Sequence, residues 1–179
     1  MKKIIFILGG ARSGKSSYAI ELAKRLRGEV VFVATATSID REMKKRIKLH
    51  RAHRPRQWKV IEEDKDIVPI LTKLKGRYKV VLIDCLGLLI SNLLIDNLKD
   101  KEIEIKIKGL ITAMSRLNLT VILVSNEVGT GIVPENILAR RFRDLLGLAN
   151  QMIARKADEV IFMQSGIPIR IKGSKRWIK

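Results

Sequence analysis

One cysteine, Cys85, is the whole thiol complement of this 179-residue chain. No intrachain disulfide can form, and the lone thiol fits a reducing cytosol. Histidine is almost as scarce. His50 and His53 are the only two. Without further His, Cys or carboxylate at ligand spacing they do not compose a zinc site. Aromatic residues make up 4%, so platforms for stacking nucleic-acid bases are not evident. No apolar run approaches the length of a transmembrane helix. The opening MKKIIFIL starts like a signal peptide, but its apolar run is short and meets Gly9-Gly10. Linkers, repeats and low-complexity tracts are missing too. Gln occurs three times in a chain rich in Lys, Glu and Ile, which hints at a thermophilic source.

What is present suits one α/β domain spanning residues 1–179, with 46% hydrophobic residues to build its core. The net charge is +18, from 36 Lys+Arg against 18 Asp+Glu. An excess of this size points to nucleic acid, a membrane surface or anionic small substrates. Much of it lies along helix-like segments such as Lys99 to Lys108, where charge marks a solvated face.

Residues 9 to 16 read GGARSGKS. This fits G-x-x-x-x-G-K-[ST], with Gly9, Gly14, Lys15 and Ser16 in the fixed places. An apolar run, Ile4 to Leu8, precedes it. A helix-like segment, Ser16 to Arg27, follows, with Ala19, Ile20, Ala23 and Leu26 on one face. Strand, glycine-rich turn and helix together make a P-loop. Its glycines turn backbone N–H groups toward phosphate oxygens, and the helix N-terminus adds partial positive charge. Lys15 reaches the β and γ phosphates, and Ser16 can ligate Mg²⁺. The chain is therefore expected to bind a nucleoside triphosphate.

Further strand-like runs stand at Val30–Ala34, Val80–Ile83, Val121–Ser125 and Val160–Met163, with helical segments between most of them. The alternation predicts a mostly parallel sheet flanked by helices on both faces. Gln164-Ser165-Gly166 splits Glu159–Met163 from Ile167–Lys172, which predicts an antiparallel C-terminal edge hairpin. Pro134-Glu135 is read as opening a long helix toward Lys156. The tail from Gly173 to Lys179 is basic and expected to be loose.

Val80 to Ile83 end in Asp84. In a P-loop fold such an acid, at the carboxyl end of a strand, holds the Mg²⁺ shell. The plainer alternative is a strand that ends in a solvated carboxylate. Asp40 can cap a helix from Arg41 to about His53, ended by Arg54-Pro55. At about 100° per residue, Met43, Ile47 and His50 share an apolar stripe. His53 falls at its edge, and Lys44, Lys45, Lys48 and Arg51 lie on the other side. An inward imidazole is a hydrogen-bonded core residue more often than a nucleophile, and periodicity does not choose.

With these residues in view, the chain resembles the bifunctional adenosylcobinamide kinase/adenosylcobinamide-phosphate guanylyltransferases of cobalamin biosynthesis. The likeness rests on Gly9 to Ser16, Ala34-Thr35-Ala36, and Glu42-Met43 with Arg46-Ile47. It continues through His50 with Arg54-Pro55 and Trp58, Asp84-Cys85-Leu86, and Ser91-Asn92-Leu93-Leu94. Its most specific part is Ser125 to Gly129 with Gly131 to Asn136, followed by Ala139-Arg140, Phe142-Arg143-Asp144, Asn150-Gln151 and Ala157 to Val160. Departures are Gly87 and Leu89, where the family often has Thr and Trp, and Leu49, where some relatives carry a second histidine.

The resemblance implies a RecA-like P-loop fold, a cytoplasmic homotrimer and two reactions. A triphosphate, ATP or GTP, phosphorylates adenosylcobinamide. GTP then guanylylates adenosylcobinamide phosphate through a GMP-histidine intermediate that matches His50. Lys15 and Asp84 join His50 as catalytic residues. Implied nucleotide contacts are Gly9, Gly10, Ala11, Arg12, Ser13, Gly14, Lys15, Ser16, Ser17, Ala34, Thr35, Ala36, Arg51, Ala52, His53, Arg54, Glu62 and Asp84. Mg²⁺ would sit at Ser16 and Asp84. For the kinase step Glu62 and Glu127 are alternative assisting residues, and the sequence does not choose between them. The competing readings are a simple P-loop kinase of a small metabolite, which leaves His50 without a role, and a RecA-like ATPase that binds nucleic acid. The second lacks aromatic-basic interleaving, so neither a nucleic-acid partner nor a membrane span is expected.

Overall fold

The computed structural model describes residues 2–37, 44, 48, 51, 54–74 and 78–173. Seven strands form one sheet: β1 (Lys3–Gly9), β2 (Glu29–Ala34), β3 (Lys59–Glu62), β4 (Tyr78–Asp84), β5 (Thr120–Asn126), β6 (Glu159–Gln164) and β7 (Ile167–Lys172). Their order is β3-β2-β4-β5-β1-β6-β7. Neighbours pair in parallel up to β6, and β7 returns antiparallel at the edge. The helices are α1 (Lys15–Arg25), α2 (Val68–Lys73), α3 (Leu86–Ile95), α4 (Asp100–Arg116) and α5 (Ile137–Lys156).

Both faces of the sheet are covered, so its central strands read as unbroken apolar runs. Side chains alternate between the faces. Phe6, Leu8, Val81, Ile83, Val121 and Leu123 pack under α2 to α5. Ile5, Ile7, Val80, Leu82, Ile122 and Val124 pack under α1 through Ala19, Ile20 and Ala23, with Trp58 beside them. The five expected strands all form, each a little wider than its apolar run. The expected C-terminal hairpin forms as well.

Three differences from the sequence reading have physical causes. Strand β3 went unseen because four residues on a sheet edge, mostly exposed, carry no apolar run. Helix α1 stops at Arg25 instead of Arg27, because Arg27 and Gly28 turn left-handed at φ 44° and 123°. Helix α5 begins at Ile137, not at Pro134. The Asn136 side chain caps it by accepting from the Ala139 N–H at 3.0 Å. Pro134 stays outside the helix, and its carbonyl accepts the Arg140 guanidinium at 3.0 Å. In the expected 41–53 helix, Lys44, Lys48 and Arg51 are helical and exposed. Its Asp40 cap, its Met43–Ile47–His50 stripe, Lys45 and His53 lie outside the described residues, as does the tail beyond Gly173.

Parallel pairing brings the carboxyl ends of β1, β2, β3, β4 and β5 to one edge. In open α/β sheets ligands bind outside that edge.

Candidate active site

The loop after β1 is held from two sides and by one bond of its own. The Glu127 N–H, just past β5, donates to the Gly9 carbonyl at 2.9 Å, and the Gly166 N–H of the β6–β7 turn donates to the Ser13 carbonyl at 3.1 Å. Within the loop the Ser13 N–H donates to the Gly10 carbonyl at 3.3 Å. Only glycine fits at position 9, where a Cβ would stand 2.5 Å from the Met163 carbonyl oxygen. Gly14 enters α1 at φ 90° with no side-chain cap and no acid in the first turn. A helix N-terminus left in this state favours an anion.

Lys15 is buried, and its ammonium donates to the Gly10 carbonyl at 2.6 Å. Burial lowers its pKa, while nearby Cys85 and Asp84 oppose that shift. The Ser13 hydroxyl is also buried and has no hydrogen-bond partner among the described residues. A buried hydroxyl without a partner is costly unless something completes it. Ala11, Arg12 and Ser17 are exposed around the loop, and Ser16 is half-buried.

Asp84 ends β4, half-buried, and its charge bears on both Lys15 and Arg54. The peptide that joins it to Cys85 is cis. Arg54 lies with its guanidinium 4.0 Å from the centre of the Phe32 ring, a cation–π contact. Burial lowers its pKa, and Asp84 and Glu62 oppose that shift. Its Nε is buried without a partner.

Ala34 and Thr35 are buried at the end of β2. The Thr35 hydroxyl donates to the Cys85 carbonyl and accepts from the Cys85 N–H, both at 2.7 Å. It is thus engaged within the protein on both sides, locking β2 to the turn after β4. Ala36 and Thr37 continue into a cavity of about 650 Å³, lined also by Lys44, Lys48, Arg51, Glu62, Glu63 and Asp64. The basic stripe of Lys44, Lys48 and Arg51, read from sequence as the side away from the body, therefore faces this cavity. Glu62, Glu63 and Asp64 stand in the same lining. Arg51 pairs with Glu62 across an exposed surface, where such a pair is worth little. Glu127 accepts from the Gly129 N–H at 2.6 Å.

Two buried amides were missed as site residues. The Asn92 side chain, on α3, donates to the carbonyls of Thr35 at 2.9 Å and Asp64 at 3.0 Å, and so fixes both walls of the cavity. Asn150, on α5, accepts from the Ser125 hydroxyl at 2.7 Å and donates to the Asn126 carbonyl at 3.0 Å. This sets the end of β5 beside the phosphate loop. An amide on an otherwise apolar helical face was the available signal.

Burial pushes the Cys85 thiol up to about 12, with Asp84 adding to the shift. The folded state binds this proton more tightly than the unfolded one. The contribution to stability is complete below the ordinary thiol value and is lost as pH rises from there toward 12. Iodoacetamide at pH 8 should alkylate Cys85 in the denatured chain and leave the native chain unmodified. Equal rates in the two states would contradict the burial.

Among the described residues no three His, Cys, Asp or Glu side chains gather into a metal site. Ser16 and Asp84 offer one hydroxyl and one carboxylate, a donor set that fits Mg²⁺ carried in by a triphosphate and still largely hydrated.

Comparison with known proteins agrees with this geometry. Residues 5–171 match the family model described as cobinamide kinase / cobinamide phosphate guanyltransferase. The chain is 39% identical to the bifunctional adenosylcobalamin biosynthesis protein CobU of Escherichia coli, covering 94% of this chain and 99% of that one. It is 39% identical to the bifunctional adenosylcobalamin biosynthesis protein CobP of Pseudomonas aeruginosa, covering 93% of this chain and 96% of that one. Among solved structures, an ATPase domain superposes with a TM-score of 0.52 at 16% identity, covering 90% of this chain and 69% of that one. That likeness shows the RecA-like fold alone.

Proposed function

The chain belongs to the cobinamide kinase / cobinamide phosphate guanyltransferase family, and we propose that both reactions run on the phosphate loop at Gly9 to Ser16, with His50 carrying GMP. The enzyme phosphorylates adenosylcobinamide and guanylylates adenosylcobinamide phosphate in adenosylcobalamin biosynthesis. The observation that carries the shared-loop reading is the buried Lys15 ammonium on the Gly10 carbonyl, inside a loop whose Ser13 hydroxyl lacks a partner. Both groups suit phosphate oxygens, and Lys15 needs only a side-chain rotation to exchange the carbonyl for one.

In the kinase step the corrinoid alcohol attacks the γ-phosphorus of ATP or GTP, and nucleoside diphosphate leaves. Positioning and charge stabilisation suffice, and no covalent enzyme intermediate is needed. In the transferase step neutral His50 attacks the α-phosphorus of GTP and pyrophosphate leaves. The phosphate of adenosylcobinamide phosphate then takes the GMP from His50, giving adenosylcobinamide-GDP. Lys15 balances the charge that builds on the phosphates in both steps. Ser16 and Asp84 would hold the Mg²⁺ of a bound triphosphate, which would supply Lewis-acid stabilisation of its phosphates. The 650 Å³ cavity between β2, β3 and the basic stripe suits the nucleoside, with Ala36, Arg51 and Glu62 on its wall and Arg54 beside Asp84.

We read residues 1–179 as one nucleotide-binding domain, working in the cytosol as a homotrimer. Exposed apolar side chains support the assembly: Ile132 is 96% and Ile137 69% exposed, and Ile167, Ile169 and Ile171 line the free face of β7. Light scattering on the purified chain checks the trimer. No helix among the described residues is long and apolar enough to cross a membrane.

The direct test supplies adenosylcobinamide with ATP and GTP and resolves the corrinoid products. Adenosylcobinamide phosphate followed by adenosylcobinamide-GDP is expected; neither product would contradict the reading. Asp84→Asn should raise the Mg²⁺ concentration needed for half-maximal turnover while metal-free nucleotide binding changes little. Equal change in both would make Asp84 a plain strand-end residue.

A further inference from the structure

A cavity of about 500 Å³ lies toward the opposite edge of the sheet, among the amino ends of β1, β4, β5 and β6 and one side of α1 from Tyr18 to Arg25. Its mouth lies at the other end of β1 from the phosphate loop, with Lys3 and Gly9 roughly 20 Å apart at about 3.3 Å per residue, while Tyr18 on α1 is the lining residue nearest the loop. No residue of the candidate active site lines it.

The floor is apolar. Ile5, Val80 and Ile161 come from the sheet, and Tyr18 and Leu22 from α1. The rim is cationic. Lys2, Arg25, Arg27 and Lys79 are all exposed there, and none is ion-paired among the described residues. The two carboxylates in the lining already have cations, Glu159 from Lys3 and Arg170 and Glu21 from Lys24. The rim therefore keeps an uncompensated positive field above a low-dielectric floor, an arrangement that concentrates anions.

The rim is also built, not merely solvated. Arg27 holds a left-handed φ of 44°, unusual for a side chain of its size. The next residue, Gly28, has φ 123°, and a Cβ there would meet the Lys79 Cγ at 2.5 Å. The Lys79 stem thus lies across bare backbone, and the Arg27-Gly28 turn sets both cations at the same mouth.

We propose that this cavity is a second ligand site, for an organic phosphate of nucleotide size. Its apolar body lies against Tyr18, Leu22 and Ile161, and its phosphate meets Arg27 and Lys79. The volume falls within the range of small-ligand sites.

The test is methyl NMR on the full chain with labelled isoleucine, titrated with AMP. Ile5 and Ile161 report the cavity. Their methyl signals should shift and saturate in the wild type and equally in Lys15→Ala, which disables the phosphate loop. In Arg27→Glu/Lys79→Glu, and to a lesser degree in Lys79→Gln, the affinity should fall by roughly tenfold or more. The substituted side chains are exposed, and thermal melts check that the variants fold. Inorganic phosphate and uncharged adenosine should each bind more weakly than AMP. No shift at Ile5 and Ile161 overturns the proposal. So do shifts that vanish in Lys15→Ala, shifts unchanged in the charge-reversed variant, or inorganic phosphate that binds as well as AMP.

Discussion

Lys15→Ala removes both activities while the protein still folds. Turnover in the kinase and the transferase reaction should each fall roughly 10²-fold or more, since a fixed charge donor aimed at developing phosphate charge is worth several kcal/mol. Lys15 is the one buried ammonium in the loop, and burial has already stripped it of water. It therefore acts without the reorganisation that a solvated cation needs. Its loss removes a desolvated charge along with one hydrogen bond to Gly10, so the melting temperature should change little. Separate assays for adenosylcobinamide phosphate and adenosylcobinamide-GDP check the expectation. Loss of one activity with the other intact would mean that the two reactions use different phosphate sites.

Much of this site was legible because its signals are local. Gly9, Gly14, Lys15 and Ser16 occupy a fixed frame between an apolar run and a helix, a pattern that reads without knowledge of the Glu127 and Gly166 contacts that brace the loop. Asp84 was legible for a similar reason, as the first charge after four apolar residues. The features that escaped notice depend on distant partners. Thr35 turns its hydroxyl onto Cys85, fifty positions away. Asn92 ties Thr35 to Asp64 across three elements. No periodicity encodes such contacts. Strand β3 exists because β2 offers its edge, and four half-exposed residues carry no pattern of their own. At Pro134 a sound local rule met a stronger one: the Asn136 side chain captures the Ala139 N–H and sets the start of α5. The basic stripe of Lys44, Lys48 and Arg51 looked like a solvated face because charge normally marks one. Here it borders a cavity with Glu62, Glu63 and Asp64 on the other wall.

His50→Ala should separate the two reactions. Guanylyl transfer is expected to fall roughly 10³-fold or more, as removal of a covalent nucleophile does, while phosphorylation of adenosylcobinamide continues. The γ-phosphoryl step needs Lys15 and a positioned alcohol, and no imidazole. The imidazole must be neutral to attack, so transfer should decline toward acid pH. The kinase reaction should not share that limb. His53→Ala should still take up label from GTP, because a helical wheel of the sequence puts His53 at the edge of the stripe that contains His50. Loss of the kinase together with the transferase in His50→Ala would assign His50 to structure.

The central claim, that GMP passes through His50 on a phosphate loop common to both reactions, is tested most directly by incubating the protein with GTP labelled at the α-phosphate. The account predicts label on the wild-type chain and on His53→Ala. The bond should be labile in acid and stable in base, as a phosphoramidate is. It predicts no label on His50→Ala or Lys15→Ala. Label that persists in His50→Ala, or a wild-type chain that forms adenosylcobinamide-GDP without ever taking up label, would contradict it.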